Sequence, residues 1–359
     1  MAPEIPAELA ERIIDSLCDD NHALAVCGLV CRQWRPRTRL HLFHTVCNFM
    51  TTKTNLVIQP QTKEPFLGLA TTAIFASIRK LHLGFTHKKA LRETNLGPFV
   101  QCTELLELSI EIPRDYADRD EVLPSMLLAQ LSTVGTILQN VSHFSLCFFN
   151  AQMGVLLEIL AFFPAMQNCD LVSNGGIGEG NQTALTFPPR LRTLSTQILW
   201  GAEFLFLHLL SQPSPPRVRK LILGNDEMDM TETSPVARYV QRTADAIEVL
   251  HCTIWTDFEI FEKFALKSCR NLWEMNITIY NRDIDAKQYA EALLDSAASS
   301  GLVEIVIDAP SQMTFRDLSL QLDDASTKKL RSPQFGNLCR FSLCSLEIPL
   351  SSLGRAATE

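Results

Sequence analysis

One arrangement of apolar and polar positions returns along most of the chain: an apolar residue, two variable ones, an apolar residue, one variable, and a third apolar residue. It is first seen as Ile78-Arg79-Lys80-Leu81-His82-Leu83, and its central apolar residue recurs at Leu108, Phe144, Cys169, Leu194, Leu221, Leu250, Met275, Ile305 and Phe341. The interval ranges from 25 residues (144 to 169) to 36 (108 to 144), an internal-repeat signal. The last two apolar residues alternate around one variable residue, as in a short strand with one buried face. The first anchors the turn into that strand. Between strands, Pro124–Gln139, Ala151–Phe163, Ala202–Ser211, Pro235–Ala246, Asp257–Ser268 and Asp285–Ala298 read as helices. Parallel strands need connections of that length. No unit can bury its own apolar face, so neighbours must stack. The pattern predicts an α/β chain in which residues 78–350 form a β/α solenoid with one mainly parallel, curved sheet.

The first 46 residues follow a different period. Ile5, Leu9, Ile13, Ile14 and Leu17 recur at helical spacing, and so do Leu24, Cys27, Cys31 and Trp34. Asp20 or Asn21 suits the cap of the second helix, and Pro36 the first turn of a third carrying Leu40 and Phe43. Three helices in so short a stretch cannot enclose a full core, so part of their apolar surface must be buried against something else. Residues 3–47 read as one helical domain and 48–77 as a linker or cap, where Lys63-Glu64-Pro65 interrupts regular structure.

The helical stretch carries Pro6, Glu8-Leu9 and the run Val30-Cys31-Arg32-Gln33-Trp34-Arg35. In these residues it resembles an F-box, with Ile5 where leucine is usual, and the tail Arg39–Val46 resembles fungal members. The resemblance implies a three-helix module that docks on the Skp adaptor of a cullin–RING ubiquitin ligase. The docking and core positions would be Ile5, Pro6, Leu9, Ile13, Ile14, Leu17, Leu24, Cys27, Val30, Cys31 and Trp34. The repeats resemble an irregular leucine-rich-repeat domain of the long, helix-bearing type. That family usually ties adjacent turns with Asn or Cys at the ninth motif position; here only Asn174 falls there, which implies uneven curvature. The rival fold, a doubly wound α/β domain, calls for fewer strands, longer apolar runs and a glycine-rich first turn.

Composition narrows the function. The formal net charge is −8 with 20% charged and 46% hydrophobic residues, so neither nucleic acid nor an anionic membrane is expected as partner. The local basic cluster Arg32, Arg35, Arg37 and Arg39 reads as a solvated helix face. Eleven scattered cysteines suit buried thiols in a reducing compartment, and neither a secretory signal nor a transmembrane run is visible, so an intracellular location, cytoplasmic or nuclear, is expected.

No catalytic signature emerges. Gly175-Gly176-Ile177-Gly178-Glu179-Gly180 lacks the phase and the lysine of a phosphate loop and reads as a surface loop. Asp226, Glu227, Asp229 and Glu232 lack calcium-loop spacing, and Cys27, Cys31, His41, His44 and Cys47 lack that of a zinc site. His82, His143 and His251 fall on exposed strand positions. The expectation is a non-enzyme with no cofactor or metal. It would be the substrate-recognition subunit of a Skp–cullin–F-box ubiquitin ligase, binding the adaptor, through it cullin, and a target protein. The target would meet the exposed strand positions (His82, Ser109, Asp170 and His251 among them) and the loops Asn174–Thr186 and Asn225–Thr233. The alternatives are a repeat scaffold acting outside ubiquitin ligases and an enzyme on an α/β fold.

Overall fold

The computed structural model describes residues 5–50, 57–58, 72–85, 91, 94–112, 122–179, 185–224, 234–254, 266–279, 301–308, 337–338, 340–343 and 346–348. The chain forms two compact units: Met1–Ala151 with Val155–Met166, and Gln152–Gly154 with Gln167–Glu359.

The first unit opens with helices α1 (Ala7–Ser16), α2 (Asn21–Val30) and α3 (Arg35–Leu42). Asp20 caps α2 by accepting the Ala23 N–H at 2.9 Å, and Pro36 lies in the first turn of α3. The chain then passes straight into β1 (Thr45–Met50), which pairs antiparallel with β2 (Val57–Ile58) and parallel with β3 (Lys80–Phe85). β4 (Glu107–Glu111) and β5 (His143–Phe148) continue the parallel array. A strand therefore begins inside the tail that reads as helical head and extends into the stretch expected as linker or cap. Register explains it: Phe43-His44-Thr45-Val46 repeats the phase of Ile78-Arg79-Lys80-Leu81, and Val46 pairs with Leu81. The helix expected over 124–139 is present as two pieces, Val122–Ser132 and Gly135–Leu138.

In chain order, β6 (Ala151–Gln152) and the helix Met153–Leu160 follow. In the second unit β7 (Asn168–Gly178), β8 (Thr193–Trp200), β9 (Lys220–Gly224), β10 (Val249–Ile254), β11 (Glu274–Ile279), β12 (Glu304–Asp308) and β13 (Arg340–Leu343) pair in sequence, all parallel. β14 (Leu346–Ile348) turns back antiparallel on β13. Cys169, Leu194, Leu221, Leu250, Met275, Ile305 and Phe341 fall on one register row. The turn anchors Leu191, Val218, Ile247, Leu272, Leu302 and Leu338 are all buried. The same alternation holds in the first unit, where Leu81, Leu108 and Phe144 are aligned.

The main chain makes a second ladder one residue after the anchors Ile78, Leu105, Met166, Leu191, Val218, Ile247 and Leu272. The Arg79 carbonyl accepts the N–H groups of Leu106 and Glu107 at 2.8 and 2.9 Å, and the Arg219 carbonyl those of Glu248 and Val249 at 2.7 and 2.9 Å. Leu106, Gln167, Arg192, Glu248 and Trp273 do the same for the turns that follow them. Adjacent turns are thus tied through backbone groups, which every residue type carries, so the shortage of Asn and Cys at the ninth position leaves the stack intact.

Crossover helices in the second unit match expectation closely. Ala202–Ser211 is helical as read, and Pro235–Thr243 ends three residues early. Rings of Phe206 and Tyr239 meet at 5.5 Å between them. The helix expected over 257–268 is described only at Leu266–Ser268, a 3₁₀ turn, and that over 285–298 lies outside the described residues. The glycine-rich segment expected as a surface loop is instead strand as far as Gly178, with its register shifted between Ser173 and Gly176. A Cβ on Gly176 would meet the Trp200 carbonyl at 3.0 Å, so close strand approach accounts for glycine there.

Candidate functional site

Around the helical head the apolar positions divide into two sets. Ala10, Ile14, Leu24 and Thr38 are buried and hold the three helices together. The Thr38 hydroxyl donates back to its own helix (Trp34 O at 3.2 Å, Arg35 O at 3.0 Å) and lies 3.0 Å from where a Cβ on Gly28 would stand. Glycine at 28 therefore lets α2 and α3 approach closely. Asp15 ties α1 to α3: Arg37 donates to its two oxygens through Nε and Nη2, both at 2.6 Å, and His41 Nε2 lies 2.8 Å away. The Arg37 hydrogen bonds, then that of His41, hold the Asp15 carboxyl well below the ordinary aspartate range.

The other set points away. Leu9 is 51% exposed, Ile13 39% and Leu29 78%, with Ile5, Val26 and Val30 likewise open. Pro6 is exposed beside them, while Leu17, Cys27, Cys31 and Trp34 are half-buried. Thus Leu9 and Ile13 occupy the outer face of α1, and Ile14, expected on the same face, is turned inward. Val26 and Leu29 escape the sequence reading, which followed a single face of α2. The signal was there: Asn21–Val30 is apolar almost all round, and a head this small can cover only one side.

Trp34 and Ile14 also line a cavity of about 440 Å³ together with Leu40, Ala76, Arg79 and Glu104, all within the first unit. Their place is where the head meets the first repeats. Arg37, read as part of a solvated basic face, is engaged by Asp15, and Arg35 Nε donates to the Gly28 carbonyl at 3.3 Å.

On the strands, the variable positions between buried ones are half-exposed at His82, Ser109, Asp170, His251 and Asn276, whereas Ser195 on β8 is buried. The histidines there have local partners: His82 with Ser109 at 2.9 Å, His143 with Ser142 at 2.9 Å, and His251 with Glu274 at 2.7 Å. Among the described residues no three His, Cys, Asp or Glu side chains converge as metal ligands, and no helix is long and apolar enough to cross a membrane. The acidic segment 225–233 lies outside the described residues, while 174–178 belong to β7.

No family model matches the chain, and no curated protein matches it. Among solved structures, one similar chain is the leucine-rich repeat-containing protein LegL7 from Legionella pneumophila, at 14% identity and a TM-score of 0.38, covering 68% of this chain and 81% of that one. At that level of likeness the fold rests on the strand ladder of the chain itself.

Proposed function

We propose that this chain is the substrate-recognition subunit of a Skp–cullin–F-box ubiquitin ligase. Its helical head docks the Skp-type adaptor, and its repeats hold a target protein. The observation that carries the reading is the outward apolar set Ile5, Leu9, Ile13, Val26, Leu29 and Val30 on a head whose inner residues are already packed. So many exposed apolar side chains on so small a head are the kind of surface that a partner covers. The F-box resemblance of Pro6, Glu8-Leu9 and Val30–Arg35 says which partner. The repeats present half-exposed, mixed polar positions suited to a protein surface.

Such a subunit does no chemistry of its own and needs no cofactor or metal. Holding adaptor and target on one scaffold raises the effective concentration of target lysines near the charged enzyme. An intracellular, reducing setting accords with the buried free thiols of Cys102, Cys252 and Cys269, each pushed up to about 12 by burial. Tagged full-length chain purified from proteasome-inhibited cells should carry an endogenous Skp-type adaptor and cullin. Recovery of partner proteins without any adaptor would favour a repeat scaffold acting outside ubiquitin ligases.

A further inference from the structure

Arg190 and Arg192 stand just before β8, and Arg217 and Arg219 occupy the same two places before β9. The Arg192 carbonyl accepts the N–H groups of Arg219 and Lys220 at 2.7 and 3.0 Å, so the backbone sets the two pairs side by side. Adjacent strands lie about 4.8 Å apart, and like charges placed opposite one another at that spacing repel. In a chain of formal net charge −8 this array runs against the composition.

All four arginines line one open groove of about 870 Å³, walled by Phe187, Pro213 and Pro215. Tyr239 steadies the proline wall by donating its hydroxyl to the Pro216 carbonyl at 2.6 Å. The chain itself satisfies half of the array: Arg217 pairs with Asp245, and Arg219 with Glu248 at 3.5 Å. Arg190 and Arg192 have no ion-pair partner among the described residues. Gln212 lines the same groove and is buried.

We propose that this groove binds an extended acidic segment of a partner protein, its carboxylates pairing with Arg190 and Arg192. Carboxylate is favoured over phosphoryl because the array already takes carboxylates one per guanidinium, through Asp245 and Glu248 on the next turn. An extended peptide with acidic side chains at alternate positions, about 7 Å apart, continues that one-to-one pattern across the unpaired arginines. The proline and phenylalanine walls offer apolar contact to the peptide backbone. This assignment stands apart from adaptor docking and does not depend on it.

The test uses full-length protein and three short fluorescent peptides: one alternating Glu and Ser, its Gln-for-Glu counterpart, and a phosphoserine peptide without Glu. Fluorescence polarisation should show saturable binding of the first that weakens as salt rises, with little binding of the second. Arg190→Glu with Arg192→Glu should weaken binding about tenfold or more. Arg190→Gln with Arg192→Gln should also weaken it, guarding against disruption by the introduced charge. Arg12→Glu with Arg238→Glu, the same change in net charge placed elsewhere, should leave it unaltered. Circular dichroism confirms that each variant is folded. Equal binding of the neutral peptide, binding of the phosphoserine peptide alone, or full binding by the folded double glutamine variant would each overturn the assignment.

Discussion

The backbone carbonyl of His44 accepts the N–H of Lys80 at 2.9 Å, and that of Arg79 at 3.1 Å. The carbonyls of Arg79, Leu106, Gln167, Arg192, Arg219, Glu248 and Trp273 make the same contact with the turns that follow them, so the repeat ladder starts at the residue that leaves the helical head. Head and repeats are joined with no spacer between α3 and β1, and an adaptor bound to the head would be held at a fixed place relative to the first strands.

Thr196 tests how strictly the repeat motif demands an apolar residue. It stands at the third apolar position of its unit, between Leu171 and Leu223 in register, at 0% exposure. Its hydroxyl has no hydrogen-bond partner among the described residues. Thr196→Val should stabilise the protein by about 1 kcal/mol, since it removes an unsatisfied buried hydroxyl at nearly constant shape. Denaturant melts of the two proteins decide it; a less stable valine variant would mean that the hydroxyl has a partner.

Gly201 is held at φ 79°, the left-handed region. A Cβ there would press on the carbonyl of Ile177 in β7. Gly201→Ala should therefore cost roughly 2–4 kcal/mol through backbone strain and steric clash together. Hydrogen exchange should show the loss around β7 and the helix that follows Gly201. Unchanged protection in that region would contradict the geometry.

Asp15 makes the head sensitive to acid. Its folded-state carboxyl is depressed by Arg37 and His41. The stabilisation is accordingly complete above the ordinary aspartate value of 3.8 and is lost as pH falls below it. Asp15→Asn should loosen the α1–α3 contact at neutral pH and blunt its acid response, while α2 keeps its own cap at Asp20. Hydrogen exchange of α1 across an acid series checks this; identical pH profiles for variant and wild type would remove Asp15 from the account.

Ten repeat centres could be read from the sequence because each needs a buried apolar residue at a fixed offset from its neighbours, and all ten, from Leu81 to Phe341, lie in strands. β1 was missed because Asn48 stands where the motif wants an apolar residue and the preceding letters matched a helical tail. The extent of β7 was hidden because glycine has no side chain with which to mark a face. The carbonyl ladder has no sequence signature, being made of groups that all residues share. On the head, Leu9, Ile13 and Val30 were identified as interaction residues and are exposed, whereas Ile14 and Leu24 are core; periodicity places residues on a face but does not tell inside from outside.

Adaptor binding by purified components tests the central claim most directly. Full-length chain should bind a purified Skp-type adaptor in a calorimetric titration, and Leu9→Asp with Ile13→Asp should abolish that binding while circular dichroism and melting of the repeats stay unchanged. Leu29→Asp, at the most exposed apolar position of the head, should weaken it as well. Undiminished adaptor affinity in the folded Leu9→Asp, Ile13→Asp variant, or no affinity in the wild type, would contradict the account.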